Sequence, residues 1–286
     1  MTADEGGGWR LALIGDPVAD SLSPAIQAAA LRAAGLRGRY DLWEVPPAAL
    51  PAALDRIRVG ELDGANVTQP YKLAVAAACR SLDGPARELG AVNTVRPDGT
   101  GGLVGTNTDV AGISGAVSAL GGLPSGATVV ILGAGGAARA AVLGCLLWRP
   151  AHIVLVGRDP DRVAATRAAL PGHPVTAAPW RDDGGGVAWA DCGLLVNATP
   201  VGLDGGLPRV LDRLPAVARV LDLRYGAQVP DLVAAAAALG LVAGDGREML
   251  LHQGAAAFRW WTGRAADLDA MRAALPPVVI RPGRPR

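Results

Sequence analysis

The residues of this chain that could do chemistry are one ammonium and one carboxylate set among neutral hydrogen-bonding groups. Four short segments carry them: Gly15-Asp-Pro-Val-Ala-Asp-Ser21-Leu-Ser23-Pro24, Gly64-Ala-Asn66-Val-Thr68-Gln-Pro70-Tyr-Lys72, Gly90-Ala-Val-Asn93-Thr94 and Gly105-Thr-Asn107-Thr108-Asp109. Each sits where a strand pattern gives way to a helix pattern, and open α/β sheets bind ligands at the carboxyl ends of their strands. Taken singly, each segment has an ordinary structural role open to it. Ser23 and Asp109 suit the N-cap position of the helices that follow, whereas Ser21 has no such duty. Taken together they describe a pocket of hydroxyls and amides with one Lys and one Asp, which suits a polyhydroxylated small molecule. The segments contain no His and the chain shows no Ser-His-Asp set, so proton transfer falls to Lys72 and Asp109.

A second kind of chemistry is written in the middle of the chain. Thr128-Val-Val-Ile-Leu132 reads as a buried parallel strand, Gly133, Gly135 and Ala138 reproduce G-x-G-x-x-(G/A), and an alanine-rich helix pattern follows. His152-Ile-Val-Leu-Val156 then supplies the next strand of a βαβ unit. In that context the glycines let a pyrophosphate approach the backbone at a helix N-terminus, which is the Rossmann-type way of binding a dinucleotide. The acidic residue that holds an NAD ribose at the end of the second strand is missing: Gly157 stands there, followed by Arg158, Asp159 and Arg162. Two guanidiniums and no strand-end carboxylate favour a ribose 2′-phosphate, hence NADP(H). Asp159 points the other way, since a carboxylate repels a phosphate and accepts from a hydroxyl.

The elements that must position these groups alternate as βα units. Strands are expected at 9–14, 40–45, 62–67, 128–132, 152–156, 174–177, 191–197, 219–223 and 241–243, with a hairpin pairing 91–95 to 102–105. Helices are expected from Pro24, Pro47 and Pro70, each proline opening its helix, and over 109–120, 229–239, 249–261 and 265–275. The fold class is α/β. A substrate domain of residues 1–109 and 246–286 is joined to a doubly wound parallel-sheet domain of residues 110–245. The last two helices return to the first domain and leave a cleft between the two. Residues 1–8 and 276–286 carry no core-forming pattern.

Composition narrows the class further. A net charge of +1 gives no reason to expect nucleic acid or an acidic membrane as partner. No run approaches the roughly 18 apolar residues of a membrane span, and the chain starts without a cationic and apolar leader. Cys79, Cys145 and Cys192 are odd in number and form no metal-ligand spacing with the histidines. The expectation is a cytoplasmic protein without a metal, monomeric or homodimeric.

These segments, in this order, resemble the shikimate dehydrogenase family. The patterns Ser-Leu-Ser-Pro, Asn-Val-Thr-x-Pro-x-Lys, Gly-Ala-Val-Asn-Thr, Asn-Thr-Asp and Gly-Ala-Gly-Gly-Ala are met at 21–24, 66–72, 90–94, 107–109 and 133–137. Asn197-Ala-Thr199, Asp222-Leu-x-Tyr225 and Met249-Leu-x-x-Gln253 with Trp261-Thr-Gly263 extend the resemblance over about residues 11–263. It implies NADPH-linked reduction of 3-dehydroshikimate to shikimate on the way to chorismate and the aromatic amino acids. By that resemblance Ser21, Ser23, Asn66, Thr68, Asn93, Tyr225 and Gln253 hold or shape the site for the substrate. Lys72 is the general acid/base, and Asp109 orients it and the reacting hydroxyl. Gly133, Ala134, Gly135, Gly136, Ala137, Arg158, Arg162 and Thr199 hold the cofactor, and Leu223, Gly246 and Met249 border its nicotinamide. The chain departs from the family pattern at Gln27 (often His), at Gly157-Arg158-Asp159 (often Asn-Arg-Thr), at Ala227 (usually Pro) and at Glu248 (usually Gly). These departures keep two alternatives open: a paralogue acting on quinate or an aminated analogue with NAD(P), and a protein that senses the metabolite or dinucleotide without turnover.

Overall fold

The structure, a computed structural model, describes residues 8–181, 184, 186–203, 207 and 210–277. The expected loose lead-in and Pro/Arg tail lie, but for Gly8, Pro276 and Pro277, outside the described residues. Two compact units divide the chain, one ending at Thr108 and resuming over Leu250–Leu275, the other spanning Asp109–Met249. Asp109 and Gly246–Met249 thus fall in the second unit, whereas the sequence pattern assigned them to the first.

The first unit carries β1 (Trp9–Gly15), α1 (Ser23–Ala33), β2 (Gly38–Glu44), α2 (Leu50–Arg58), β3 (Gly64–Val67), α3 (Lys72–Ala78), β4 (Ser81–Leu82), α4 (Gly84–Leu89), β5 (Thr94–Pro97) and β6 (Leu103–Thr106). Its sheet runs β2-β1-β3-β5-β6-β4, with β5 antiparallel to both its neighbours and the other pairings parallel. Alternation along β1 divides the core. Ala12 and Ile14 pack with Leu54 and Ile57 of α2, while Leu11 and Leu13 face Ala257 and Trp261.

The second unit begins with α5 (Asp109–Ala119) and continues through β7 (Thr128–Leu132), α6 (Gly136–Leu146), β8 (His152–Gly157), α7 (Pro160–Ala168), β9 (Val175–Pro179), β10 (Cys192–Asn197), β11 (Arg219–Asp222), α8 (Asp231–Ala238) and β12 (Val242–Gly244). All six strands are parallel in the order β12-β11-β10-β7-β8-β9, the doubly wound arrangement with its switch point between β7 and β10. The interior of β7 is buried on both faces, as a parallel strand covered by helices on each side must be. Gly144 of α6 lets α5 come close, since a methyl there would lie 2.5 Å from the Ile113 Cβ.

α9 (Arg247–Thr262) and α10 (Leu268–Ala273) complete the chain. From Leu250 onward they pack on the first sheet as expected: Leu250, Leu251, Phe258 and Met271 share a core with Ile26, Ala30 and Leu31 of α1. Gly64 makes the space for Trp261, whose indole would stand 2.3 Å from a side chain at that position and which donates to Val95 O at 3.2 Å.

Two local expectations are corrected. Ser23 is not an N-cap but the first residue of α1; Leu22 occupies the cap without a side-chain bond, and Ser21 Oγ accepts from Ser23 N–H at 3.2 Å. Ser21 therefore has the local duty that Ser23 was expected to have. Pro70 does not open α3 either. Tyr71 N–H donates to Thr68 O at 3.0 Å, closing a turn through the cis Gln69–Pro70 bond, so the helix starts at Lys72.

Candidate functional site

In the first unit, the polar residues at the strand ends form one buried network around Asn93. Its Oδ1 accepts from Thr108 N–H at 2.7 Å, from the Thr108 hydroxyl at 3.2 Å and from the Thr94 hydroxyl at 2.9 Å. Three donors on the carbonyl fix the amide, so its NH2 must face the other way. Asn66 lies behind it: both its amide protons go to Asn93 O (3.2 Å) and Thr94 Oγ1 (3.0 Å), and its Oδ1 accepts from Tyr40 at 2.8 Å. The amide donors of Asn66 are thus spent on shaping the site. Gln253 of α9 joins at the edge, its Oε1 3.5 Å from Thr108 Oγ1 and its Nε2 donating to Leu250 O at 3.1 Å.

The remaining groups of this unit stand on loops tied to that network. Val92 N–H donates to Lys72 O at 2.9 Å, so the partly buried first residue of α3 is fastened to the segment leading into Asn93. The loops after β1 and β3 are neighbours: Asp16 N–H donates to Gln69 O at 3.1 Å, and any side chain at Gly15 would run into Thr68 Cγ2 at 2.3 Å. Among the described residues the hydroxyls of Ser23 and Thr68 have no hydrogen-bond partner, and that of Ser21 only accepts. These three are therefore open to a ligand. Gln27 is fully buried, donates to Gly254 O at 2.9 Å, and leaves its Oε1 without a partner. Asp109 is buried as the first residue of α5 and follows directly on Thr108, which the Asn93 amide holds.

In the second unit the loop between β7 and α6 is a cradle of open backbone. Gly133 has φ 125°, and a Cβ there would lie 3.0 Å from Ala198 O, so glycine is needed for the turn to pass the end of β10. A Cβ on Gly135 or Gly136 would meet nothing within 4 Å. Gly135 caps α6 without a side-chain bond, leaving the first-turn N–H groups and the positive end of the helix dipole facing that space. Ala138 is fully buried, which brings helix and strand together, and Thr166 Oγ1 donates to Ala134 O at 2.9 Å to hold the loop. These features fit a dinucleotide pyrophosphate.

The loop after β8 settles the competing roles of its charges. Asp159 accepts from the N–H groups of Asp161 (3.0 Å) and Arg162 (3.1 Å), so its carboxylate is the N-cap of α7. The Arg158 guanidinium lies over the Trp180 ring at 5.4 Å from the centroid. Beyond β10, Thr199 donates through both N–H (3.1 Å) and hydroxyl (2.7 Å) to Asn197 Oδ1. Gly246 is held by close packing, because a Cβ would lie 2.2 Å from Leu223 O; the same position is 3.2 Å from the Tyr225 ring. Leu223, Tyr225 and Gly246 are thus together, with Met249 in the first turn of α9. Tyr225, expected among the substrate-binding residues, lies in the second unit.

Sequence reasoning missed several supports. Arg224 forks onto Asp222 (2.7 Å) and Asp231 (2.6 Å), fixing the backbone before Tyr225, and the bond to Asp222 pushes its pKa up. Tyr40 and Thr166 touch the site residues from elements far away in sequence. Arg139, one turn past Gly135, has a buried Nε without a partner. Burial pushes the thiols of Cys145 and Cys192 up to about 12, which makes both inert. Among the described residues no group of His, Cys, Asp and Glu could hold a metal ion, and no helix is long and apolar enough to cross a membrane.

Comparison with known proteins agrees with this geometry at both ends of the chain. Residues 13–95 match the family described as shikimate dehydrogenase substrate binding domain, and residues 246–275 match the shikimate 5′-dehydrogenase C-terminal domain. The chain is 37% identical over 282 residues to a shikimate dehydrogenase (NADP+) of Symbiobacterium thermophilum, covering 96% of this chain and 95% of that one. The crystal structure of shikimate 5-dehydrogenase from Thermus thermophilus, in complex with NADP(H) and shikimate, superposes with a TM-score of 0.81 at 37% identity, covering 93% of this chain and 98% of that one. A quinate dehydrogenase from Corynebacterium glutamicum in complex with NAD gives a TM-score of 0.82 at 31% identity, with coverage of 93% and 98%.

Proposed function

The chain belongs to the shikimate dehydrogenase family, and from that premise we propose that it catalyses the reversible NADPH-dependent reduction of 3-dehydroshikimate to shikimate, a step towards chorismate and the aromatic amino acids. The observation that carries this reading is the pairing of two constructions in one chain: an amide-and-hydroxyl network suited to a polyol, and an open glycine cradle suited to a pyrophosphate.

The roles divide by unit. Ser21, Ser23 and Thr68 offer hydroxyls to the substrate's carboxylate and hydroxyls, and Asn93 presents the NH2 that its fixed carbonyl aims. Gln253 and Tyr225 add further hydrogen bonds. Gly133 to Ala137 take the pyrophosphate, Arg158 and Arg162 the 2′-phosphate, and Thr199, Leu223, Gly246 and Met249 the nicotinamide half. When bound, the reduced cofactor supplies a hydride to the ketone carbon. Lys72 stabilises the charge that develops on the oxygen and donates the proton, and takes it back in the reverse direction. Asp109 accepts from the substrate hydroxyl and keeps it oriented for that transfer.

Mixing the protein with shikimate and NADP+ and following reduced nicotinamide absorbance tests the reading; no absorbance change under conditions where a control dehydrogenase turns over would sink it. The likeness to an NAD-bound quinate dehydrogenase, with Gly157 at the ribose end, favours a second reading, oxidation of quinate or an aminated analogue with NAD+. Comparing kcat/KM for the two cofactors on shikimate and quinate separates the two. Against the NAD+ alternative stands Asp159, whose carboxylate is committed to α7 and not held towards a ribose.

A further inference from the structure

Arg158 stands at the carboxyl end of β8, where a doubly wound sheet places the adenosine ribose. Among the described residues its guanidinium makes no ion pair and no hydrogen bond, and an exposed arginine of this kind would ordinarily sample many rotamers. The guanidinium lies over the Trp180 ring, 5.4 Å from its centroid. β9 pairs with β8 so that Gly157 is level with Pro179, and Trp180 follows directly. The Trp180 ring is itself anchored, because it packs against the core that contains Val154, Val156 and Ala178. We infer that Trp180 is a positioning residue for cofactor choice: it holds Arg158 by its flat face and so sets the preference for a 2′-phosphorylated dinucleotide.

The chemistry supports that division of labour. A guanidinium stacked on an indole uses its π face, and its N–H donors radiate in the perpendicular plane, free to grip a phosphate. The acid next to it in sequence, Asp159, is turned to α7, since its Oδ1 is held by two N–H groups of that helix. The inference rests on the reading of Arg158 as a ligand of the 2′-phosphate.

The test is calorimetric titration of wild type, Trp180→Leu, Trp180→Phe and Arg158→Ala with NADP+, NAD+ and 2′-AMP. A cation–π contact at an exposed site corresponds to about a two- to five-fold change in affinity. Trp180→Leu, which keeps apolar packing, should weaken NADP+ and 2′-AMP by that factor and leave NAD+ unchanged. KM for NADP+ should rise with kcat at saturation unmoved. Trp180→Phe should restore the affinity, and Trp180→Leu should add nothing in the Arg158→Ala background. Equal losses for NAD+ and NADP+ would mean that Trp180 touches the adenosine directly, and would overturn the inference. So would unchanged NADP+ affinity in Trp180→Leu while Arg158→Ala loses it. If Arg158→Ala itself leaves NADP+ affinity intact, the reading of the 2′-phosphate site fails first and this inference with it.

Discussion

Replacing Gly135 with Ala should separate cofactor binding from folding. Gly135 has φ −99° and ψ −169°, extended backbone that any residue adopts, and an added Cβ would touch nothing within 4 Å. Contacts therefore set no cost. Alanine loses less chain freedom on folding, a gain of about 0.4–1 kcal/mol, and is a poorer N-cap than glycine by a similar amount. At about 2–4 °C per kcal/mol for a domain of this size, the unfolding midpoint should move by no more than about 2 °C. The methyl instead fills the space through which a pyrophosphate reaches the N–H groups of α6. Loss of one hydrogen bond to a charged oxygen, about 1.5–3 kcal/mol, weakens NADP+ roughly ten- to over a hundred-fold. Gly133→Ala should behave differently: with φ 125° and Ala198 O at 3.0 Å, it should lose about 1–3 kcal/mol of stability as well. Thermal unfolding alongside calorimetric titration reads both quantities. A well-folded Gly135→Ala protein that binds NADP+ as tightly as wild type would refute the cradle.

Three further outcomes follow from the same geometry. Lys72→Ala should lower kcat by about two to four orders of magnitude with the unfolding midpoint nearly unchanged, since the side chain is only partly buried at the start of α3; turnover close to wild type would remove Lys72 from the proton transfer. Asn93→Leu should cost at least about 2 kcal/mol in denaturant unfolding, because it strips the acceptor from the buried Thr108 N–H and two hydroxyls; a change within experimental error would show that the network holds nothing. Burial raises the pKa of Asp245, against the opposing pull of the Arg247 N–H and guanidinium and with the charges of Asp222 and Glu248 adding to it. Its folded pKa therefore lies above the unfolded one, so its contribution to stability is fully present below the ordinary carboxylate range and is lost as pH rises through the folded value. Asp245→Asn should flatten that decline, and an unaltered pH–stability profile would show that Asp245 does not produce it.

What was legible in the sequence was what local rules govern. The run Thr128–Leu132 with Gly133 and Gly135 has a strand period, a turn and a helix start within a dozen residues, and each has its own physical signature. The return of α9 and α10 was legible as well, since two apolar helices left over from a completed sheet must be buried somewhere. The errors are equally local in origin. Ser23 before Pro24 fits an N-cap, yet Leu22 took the place once the Ser21 hydroxyl accepted from Ser23 N–H. Asp159 showed only its charge until α7 was found to begin one residue later. Tyr40 on Asn66, Thr166 on Ala134 and Trp180 under Arg158 were out of reach, because each contact is made by an element whose own periodicity says nothing about its partner.

The two units make their sites by opposite means, and this bears on how each tolerates change. Around Asn93 specificity comes from side chains that satisfy one another: the carbonyl takes three donors, Asn66 gives both its protons inward, and removing any member leaves a buried group unpaired. Binding and stability are coupled there, so substitutions that alter the substrate should also lower the unfolding midpoint. Around Gly135 specificity comes from side chains that are missing, and the empty space does nothing for the fold. The charges proposed to choose between dinucleotides, Arg158 and Arg162, are likewise exposed and outside the core. Cofactor preference can therefore change at little structural cost while the polyol site cannot, and variants that exchange NADP+ for NAD+ should be far easier to obtain than variants that exchange the substrate.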